Sequence, residues 1–396
     1  MLNRKLGVVV FTVFLDLLGF GLVIPILPLY AEKLHATDHQ IGLLLAVYSF
    51  MQLFFAPLWG RLSDRAGRRP VLLVSIAGSC LSQLGYALAP SFGWLVVARG
   101  LAGVCGANIS AAQAYVADAT SEKDRASGMG LLGAALGMGF VFGPALGGLL
   151  GPLGPGSGTL PFFVAAALAA LNFVLAYFLL TEARPAGERT RARALSLAGL
   201  RATLGEPRLL GTIGLFFVVT FGFSNLEATF SLYLDRRFHY DRRAIALLFT
   251  YIGVFIIVVQ GGLVRRLVPR YGEKRLVVAG TALMAAGMLG MVVVHTLGPL
   301  LIALAFVSVG NALNAPALQS LVSRLAGRDV QGGVLGVSQS AGALARITGP
   351  LVGTAALAWG LGGPYVLGAI VLATASVLAV SILRQPGSLD STPPPR

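Results

Sequence analysis

Four ionisable residues fall within stretches that are otherwise apolar: Asp16, Arg99, Glu227 and Arg346. Each costs about 2.5–3.5 kcal/mol at the centre of a lipid bilayer, so an intramembrane charge is retained for a reason. Their formal charges cancel, which allows pairing inside one shared cavity. The chemistry open to such a set is reversible protonation. Desolvation raises the pKa of a buried acid and a neighbouring cation lowers it, so a motion that changes water access or partner drives proton uptake or release. Asp16 lies about ten residues into its apolar run, roughly 15 Å along a helix. A permanent lock to an arginine is the structural alternative for Asp16. Placement at the lipid interface is the alternative for Glu227, which sits nearer the end of its run.

Helical spacing surrounds these charges with polar stripes. Thr220, Phe223, Ser224, Glu227 and Ser231 fall on one face, mixing hydroxyls, an aromatic and an acid as a cavity lining would. Arg99, Gly103, Gly106, Ser110 and Gln113 share another face, where the glycines leave room beside the guanidinium. Gln339 accompanies Arg346, Asn311 accompanies Asn314, and Tyr48 accompanies Gln52. These are the candidate substrate contacts. Interhelical hydrogen bonding, worth about 0.6 kcal/mol on average, is an equal alternative for the amides.

The elements that must position these residues follow from composition. The chain has 396 residues, 56% hydrophobic and only 12% charged, with a mean hydropathy of +0.80. Soluble domains carry about 25% charged residues. A bilayer core needs roughly 20 apolar residues per spanning helix. Twelve such runs occur, near 6–29, 40–60, 70–89, 94–117, 127–150, 161–181, 209–233, 244–264, 276–295, 298–321, 332–357 and 363–383. We number them spans 1 to 12. Ala, Leu and Gly dominate without period-2 alternation, so the fold class is all-α and membrane-embedded.

The net charge of +14 raises nucleic-acid binding, and its distribution argues against it. Placing both termini in the cytoplasm puts 23 of the 30 Lys and Arg residues on the inner side. The outer loops then hold Lys33, Arg236, Arg237, Arg242 and Arg243. This bias is an orientation signal. Asp16 interrupts the first apolar run and no small-residue cleavage site follows, so span 1 reads as uncleaved. Cys80 and Cys105 fall inside spans and imply neither disulfide nor metal. No cofactor pattern is present.

The chain repeats itself. A polar stretch at 183–208 divides a six-span half (1–182) from a second (209–384), and a Pro-rich tail at 385–396 reads as disordered. Asn108, Gln113, Gly143, Pro144 and Gly147 recur 206 residues later as Asn314, Gln319, Gly349, Pro350 and Gly353. Two parallel six-helix halves are an architecture of secondary transporters, with the substrate near the midplane.

Two motifs remain. "GRLSDRAGRR" (60–69) places Gly60, Asp64, Arg65, Gly67, Arg68 and Arg69 between apolar runs, and a degraded copy returns as "GLVRRLVPRYGEKR" (262–275). Span 5 carries Gly139, Gly143, Gly147 and Gly151 at every fourth position, with Pro144 and Gly148 beside them. Such a ridge admits a close neighbouring helix, and Pro144 removes a helical hydrogen bond.

Residues 60–69 resemble the G-x-L-x-D-R-x-G-R-R/K loop signature of the major facilitator superfamily, and "RGLAGVCGA" (99–107) resembles its span-4 motif. The span-5 ridge resembles that of its twelve-span drug:proton antiporters. "LDLLGFGLVIPILP" (15–28), residues 48–73 and residues 114–130 are similar to tetracycline-efflux relatives. The resemblance is close over 15–150 and looser in the second half. It implies that the basic loop is a cytoplasmic latch. Asp64 would sit against a second-half helix N-terminus, favourable for negative charge. Arg68, with Arg65 as the other candidate, would pair with Asp118. The tetracycline exporters carry an acid in span 3 where this chain has Ser82, and a histidine in span 8 near Ile256. These departures argue against tetracycline itself as the substrate.

The reading is a proton-coupled antiporter of the plasma membrane, not an enzyme. It would act as a monomer in the lipid bilayer and export amphipathic or lipophilic small molecules by alternating access. Asp16, Glu227, Arg99 and Arg346 would couple protons, with no cofactor beyond the gradient and no nucleic-acid partner. Proton-coupled import of a metabolite is the alternative, and a membrane receptor or lipid-moving protein a remote one.

Overall fold

The computed structural model describes residues 4–106, 109–120, 125–150, 159–182, 206–325 and 331–384. The linker at 183–205 and the tail from 385 lie outside the described residues. Among the described residues, twelve helices are long and apolar enough to cross a bilayer. Span 1 lies in helix Arg4–Val23, span 2 in Asp38–Ala66, span 3 in Arg68–Ala87 and span 6 in Leu160–Leu179. Span 4 is described as two pieces, Phe92–Gly106 and Ile109–Ala119, and span 5 as Arg125–Leu150. Spans 7 to 12 are carried by Pro207–Phe238, Arg242–Val258, Val264–Val293, Leu297–Leu325, Gln331–Ala356 and Gly363–Arg384. Span 8 runs on through a π-turn at Val259–Leu263.

Local chemistry sets the boundaries. Thr37 and Gln40 form a reciprocal capping box at the start of span 2, satisfying two amides that a helix N-terminus leaves without partners. The break between spans 2 and 3 falls on Gly67, whose φ of +103° is left-handed and costs a glycine little. Gly272 repeats this geometry with φ +75° between spans 8 and 9.

The helices cluster as two compact units. The first joins Met1–Arg193 with Ser224–Ile257 and Ala343–Pro364, and the second joins Ala194–Phe223, Val258–Gly342 and Tyr365–Arg396. All four intramembrane charges belong to the first unit. That unit has a core of Val9, Leu72, Ile76, Tyr115, Val116 and Leu132. In the second, Leu209, Ile213, Val322 and Val334 form a smaller buried group.

The glycine ridge of span 5 lies directly on span 1. A methyl group added at Gly139 would fall 2.6 Å from Leu17 Cβ, at Gly143 2.7 Å from the Gly21 α-carbon, and at Gly147 2.6 Å from Leu22 O. Gly148 points elsewhere and abuts Ala246 of span 8. Pro144 is inside the helix and its ring flanks Gly21. The atoms opposite Gly143 are backbone, so no rotamer change relieves a larger side chain. Gly143→Leu is expected to destabilise the protein by at least the 1–3 kcal/mol or so typical of overpacking. Thermal unfolding in detergent would register this, with Gly133→Leu, where nothing lies within 4 Å, as the neutral control.

Candidate functional site

Three of the four intramembrane charges, far apart in sequence, gather around Tyr48 of span 2, and the fourth, Glu227, joins them through the two arginines. Tyr48 lies within electrostatic range of Arg99, Asp16, Tyr86 and Arg346. Glu227 in turn feels Arg99 and Arg346. Two carboxyls, two guanidinia and two phenols therefore share one region of the first unit.

Arg99 is the most constrained member. It is only 5% exposed, and its Nε has no hydrogen-bond partner among the described residues. Aromatic faces hold it instead. Its guanidinium carbon sits 4.6 Å from the Tyr48 ring centroid and 5.5 Å from that of Phe20. The two rings are themselves 4.8 Å apart. A desolvated cation over two rings gains about 2 kcal/mol or more. The glycines expected to make room for the guanidinium make room for Tyr48. A methyl at Gly103 would run into the Tyr48 backbone, and one at Gly106 into its hydroxyl. Gln52 then fixes that hydroxyl, donating to it at 3.1 Å and to the Gly106 carbonyl at 3.0 Å.

Sequence reasoning missed two participants, Phe20 and Tyr86. Tyr86 is 1% exposed and adjoins Arg99. Phe20 follows Asp16 by one helical turn, a spacing that could have signalled it.

The other candidates separate. Asp16 and Glu227 are half-buried and Ser224 is buried. Ser231 donates to Pro25 O at 3.0 Å, a structural bond. Asn314 is fully buried in the second unit, where it accepts from Thr281 Oγ1 at 3.3 Å and donates to Met284 Sδ at 3.5 Å. Its amide serves packing. Phe223 and Asn311, also in the second unit, are half-buried, while Gln113 and Gln339 are exposed. The Ser110 side chain lies outside the described residues.

The basic loop builds a dense contact set. Arg68 Nε is 3.1 Å from Asp118 Oδ2, and its Nη1 donates to Ser63 Oγ at 2.5 Å. Arg65 is exposed and Gly60 half-buried; the Asp64 side chain lies outside the described residues. Glu182, not anticipated from sequence, accepts the backbone amides of Arg68 at 2.8 Å and Arg69 at 3.2 Å. A carboxylate there satisfies orphan amides and the positive end of the span-3 helix. Gly67 must be glycine twice over, because a methyl would fall 2.6 Å from Glu182 Oε2. Arg69 donates to Leu180 O and Tyr177 O, both at 2.7 Å, capping the carbonyl end of span 6. Spans 2, 3, 4 and 6 are thereby tied at one end.

A second charged contact lies at the opposite ends of spans 1 and 7. Arg236 Nη2 is 2.6 Å from Glu32 Oε1, and Nη1 donates to Asp38 Oδ2 at 2.9 Å. Beside it, a cavity of about 580 Å³ is lined by Leu29, Glu32, Lys33, Asp235, Tyr240, Asp241 and Arg242. Burial, and then the nearby Arg242, push the Lys33 ammonium below its usual range.

A family model described as Major Facilitator Superfamily matches residues 9–270 and 213–396. The chain belongs to this superfamily. The tetracycline resistance protein, class C, of Escherichia coli is 35% identical over 89% of this chain and 89% of its own. Multidrug resistance protein 2 of Bacillus subtilis (strain 168) is 32% identical over 86% of each. Among solved structures, the human organic anion transporter MFSD10 superposes with a TM-score of 0.71 at 28% identity, covering 95% of this chain and 99% of the other. The nucleoside transporter NupG superposes at 0.78 with 13% identity, covering 97% and 100%, a likeness of fold alone. This member of the superfamily is a multi-pass plasma-membrane protein with twelve spanning helices.

The aromatic seat of Arg99 makes a direct prediction. Lysine keeps the charge and loses the planar, stacking guanidinium. Arg99→Lys is expected to lower stability by about 2 kcal/mol. Tyr48→Phe, which keeps the ring and loses only the Gln52 contact, should cost less than Tyr48→Leu. Unfolding curves in detergent would rank the three.

Proposed function

We propose that the protein is a proton-coupled antiporter that exports amphipathic small molecules, cations among them. The observation that carries this reading is the gathering of Asp16, Arg99 and Arg346 around Tyr48, with Glu227 in the field of the same two arginines, within membrane-spanning helices. With both acids ionised the four charges sum to zero. Protonating either leaves a net positive site that repels a bound cation and is relieved by its departure. Returning that proton on the other side closes the exchange cycle. Relatives named for tetracycline and multidrug resistance support export over import, since resistance at a membrane requires outward movement.

Orientation follows from the Lys and Arg bias, with both termini and the basic loop cytoplasmic. The Arg68 and Asp118 pair then holds the inner end of span 4 to the loop and disfavours the inward-open state. Arg236, Glu32 and Asp38 do the corresponding work outside. The protein is proposed to act as a monomer, using the proton gradient and no cofactor.

The test uses everted vesicles with an imposed pH gradient and ethidium as the probe. Probe addition should release protons from the acidified lumen. Asp16→Asn is expected to abolish gradient-driven ethidium movement while leaving ethidium binding detectable; undiminished transport by this variant refutes the assignment. Asp118→Asn should increase cysteine labelling from the cytoplasmic side, and parental labelling would remove the latch.

A further inference from the structure

The degraded copy of the basic loop, at 262–275, is inverted in charge. Gly67 and Gly272, 205 residues apart, both break a helix pair with left-handed backbone. The residue after the first is Arg68 and after the second Glu273. The partner of Arg68 is Asp118 at 3.1 Å. The partner of Glu273 is Arg324, 206 residues beyond Asp118, with Nη2 to Oε1 at 3.2 Å. Loop cation to helix acid in one half has become loop acid to helix cation in the other.

A serine completes the loop-borne charge in each case. Ser63 Oγ accepts from Arg68 at 2.5 Å, and Ser320 Oγ donates to Glu273 Oε1 at 2.7 Å. A hydroxyl can play either part. The serines do not correspond by position, since Ser63 lies in the first loop motif itself and Ser320 in span 10. The second arrangement is therefore rebuilt around the opposite sign and is no residue of the first. Where the first loop has Asp64, the second has Pro269, so the ion pair is the feature the two loops share.

We propose that Glu273 and Arg324 are positioning residues of a second cytoplasmic clasp. It holds the loop between spans 8 and 9 to the inner end of span 10 and disfavours the inward-open state, as the Arg68 and Asp118 pair does in the first half. This rests on the alternating-access reading above. Attraction depends on opposite signs and not on which side carries which, so duplication can exchange the charges and keep the device. The second clasp is the softer one. Both side chains of the first are nearly buried, whereas Arg324 is 61% exposed against 9% for Glu273.

The test places spin labels at Leu62 and Leu267, equivalent positions in the two loops, in the full chain with Cys80 and Cys105 replaced by alanine. The ratio of long to short distances reports cytoplasmic opening. Glu273→Gln and Arg324→Gln should each raise that ratio about two- to fivefold, the shift one partly exposed pair supplies. Exchanging the charges, Glu273→Arg with Arg324→Glu, should restore it. Asp118→Asn is the control. Parental ratios in both single variants while the control shifts would overturn the second clasp alone, as would an exchange variant as open as the singles. Broadened distances at an unchanged ratio would make the pair merely structural and also overturn it. A control that fails to shift as well would remove both clasps together.

Discussion

A guanidinium inside the membrane-spanning region has to be compensated, and in this protein the compensation of Arg99 organises the surrounding helices. Its Nε takes no hydrogen bond among the described residues, and the rings of Tyr48 and Phe20, with Tyr86 adjoining, are its defined partners. Those rings come from spans 2 and 1. Their approach requires Gly103 and Gly106 on span 4, and the Tyr48 hydroxyl is anchored by Gln52. Spans 1, 2 and 4 are thus fixed to one another by a single cation. Asp16 and Glu227 enter a field that this cation and Arg346 have already set.

That field explains why two acids and two arginines persist together. A fully neutralised set of charges is tolerable in a low-dielectric interior, whereas one that loses a negative member is not. The instability is useful to a transporter because protonation then has a mechanical consequence. An aromatic seat for Arg99 also means that the rings of Tyr48 and Phe20 carry part of its compensation.

Much of this was legible in the sequence. Twelve apolar runs became twelve helices because hydrocarbon length and backbone hydrogen bonding leave no other choice. The intramembrane charges stood out by their cost. Spacing alone marked the glycine ridge, although not that its partner would be span 1. The less legible features were aromatic or distant. Phe20 and Tyr86 are ordinary in an apolar helix until a cation is placed beside them. Glu182 was hidden because its contacts are to backbone amides of Arg68 and Arg69, which sequence does not advertise. Asn314 had the same signature as a substrate contact, and only its bonds to Thr281 and Met284 distinguish the two. The second clasp was obscured by its reversed sign, because a glutamate after Gly272 does not read as the counterpart of an arginine after Gly67.

The seam between spans 1 and 5 has a bearing on hydration. Along Gly139, Gly143 and Gly147 the two backbones meet with no space even for a Cβ held at bonding distance, and a water, which must stay at van der Waals distance from both backbones, has no place between them. No file of waters can therefore run down that side of span 1. Any wetted route to Asp16 is confined to the helix faces turned away from span 5, so the close seam between the two backbones also insulates one flank of span 1.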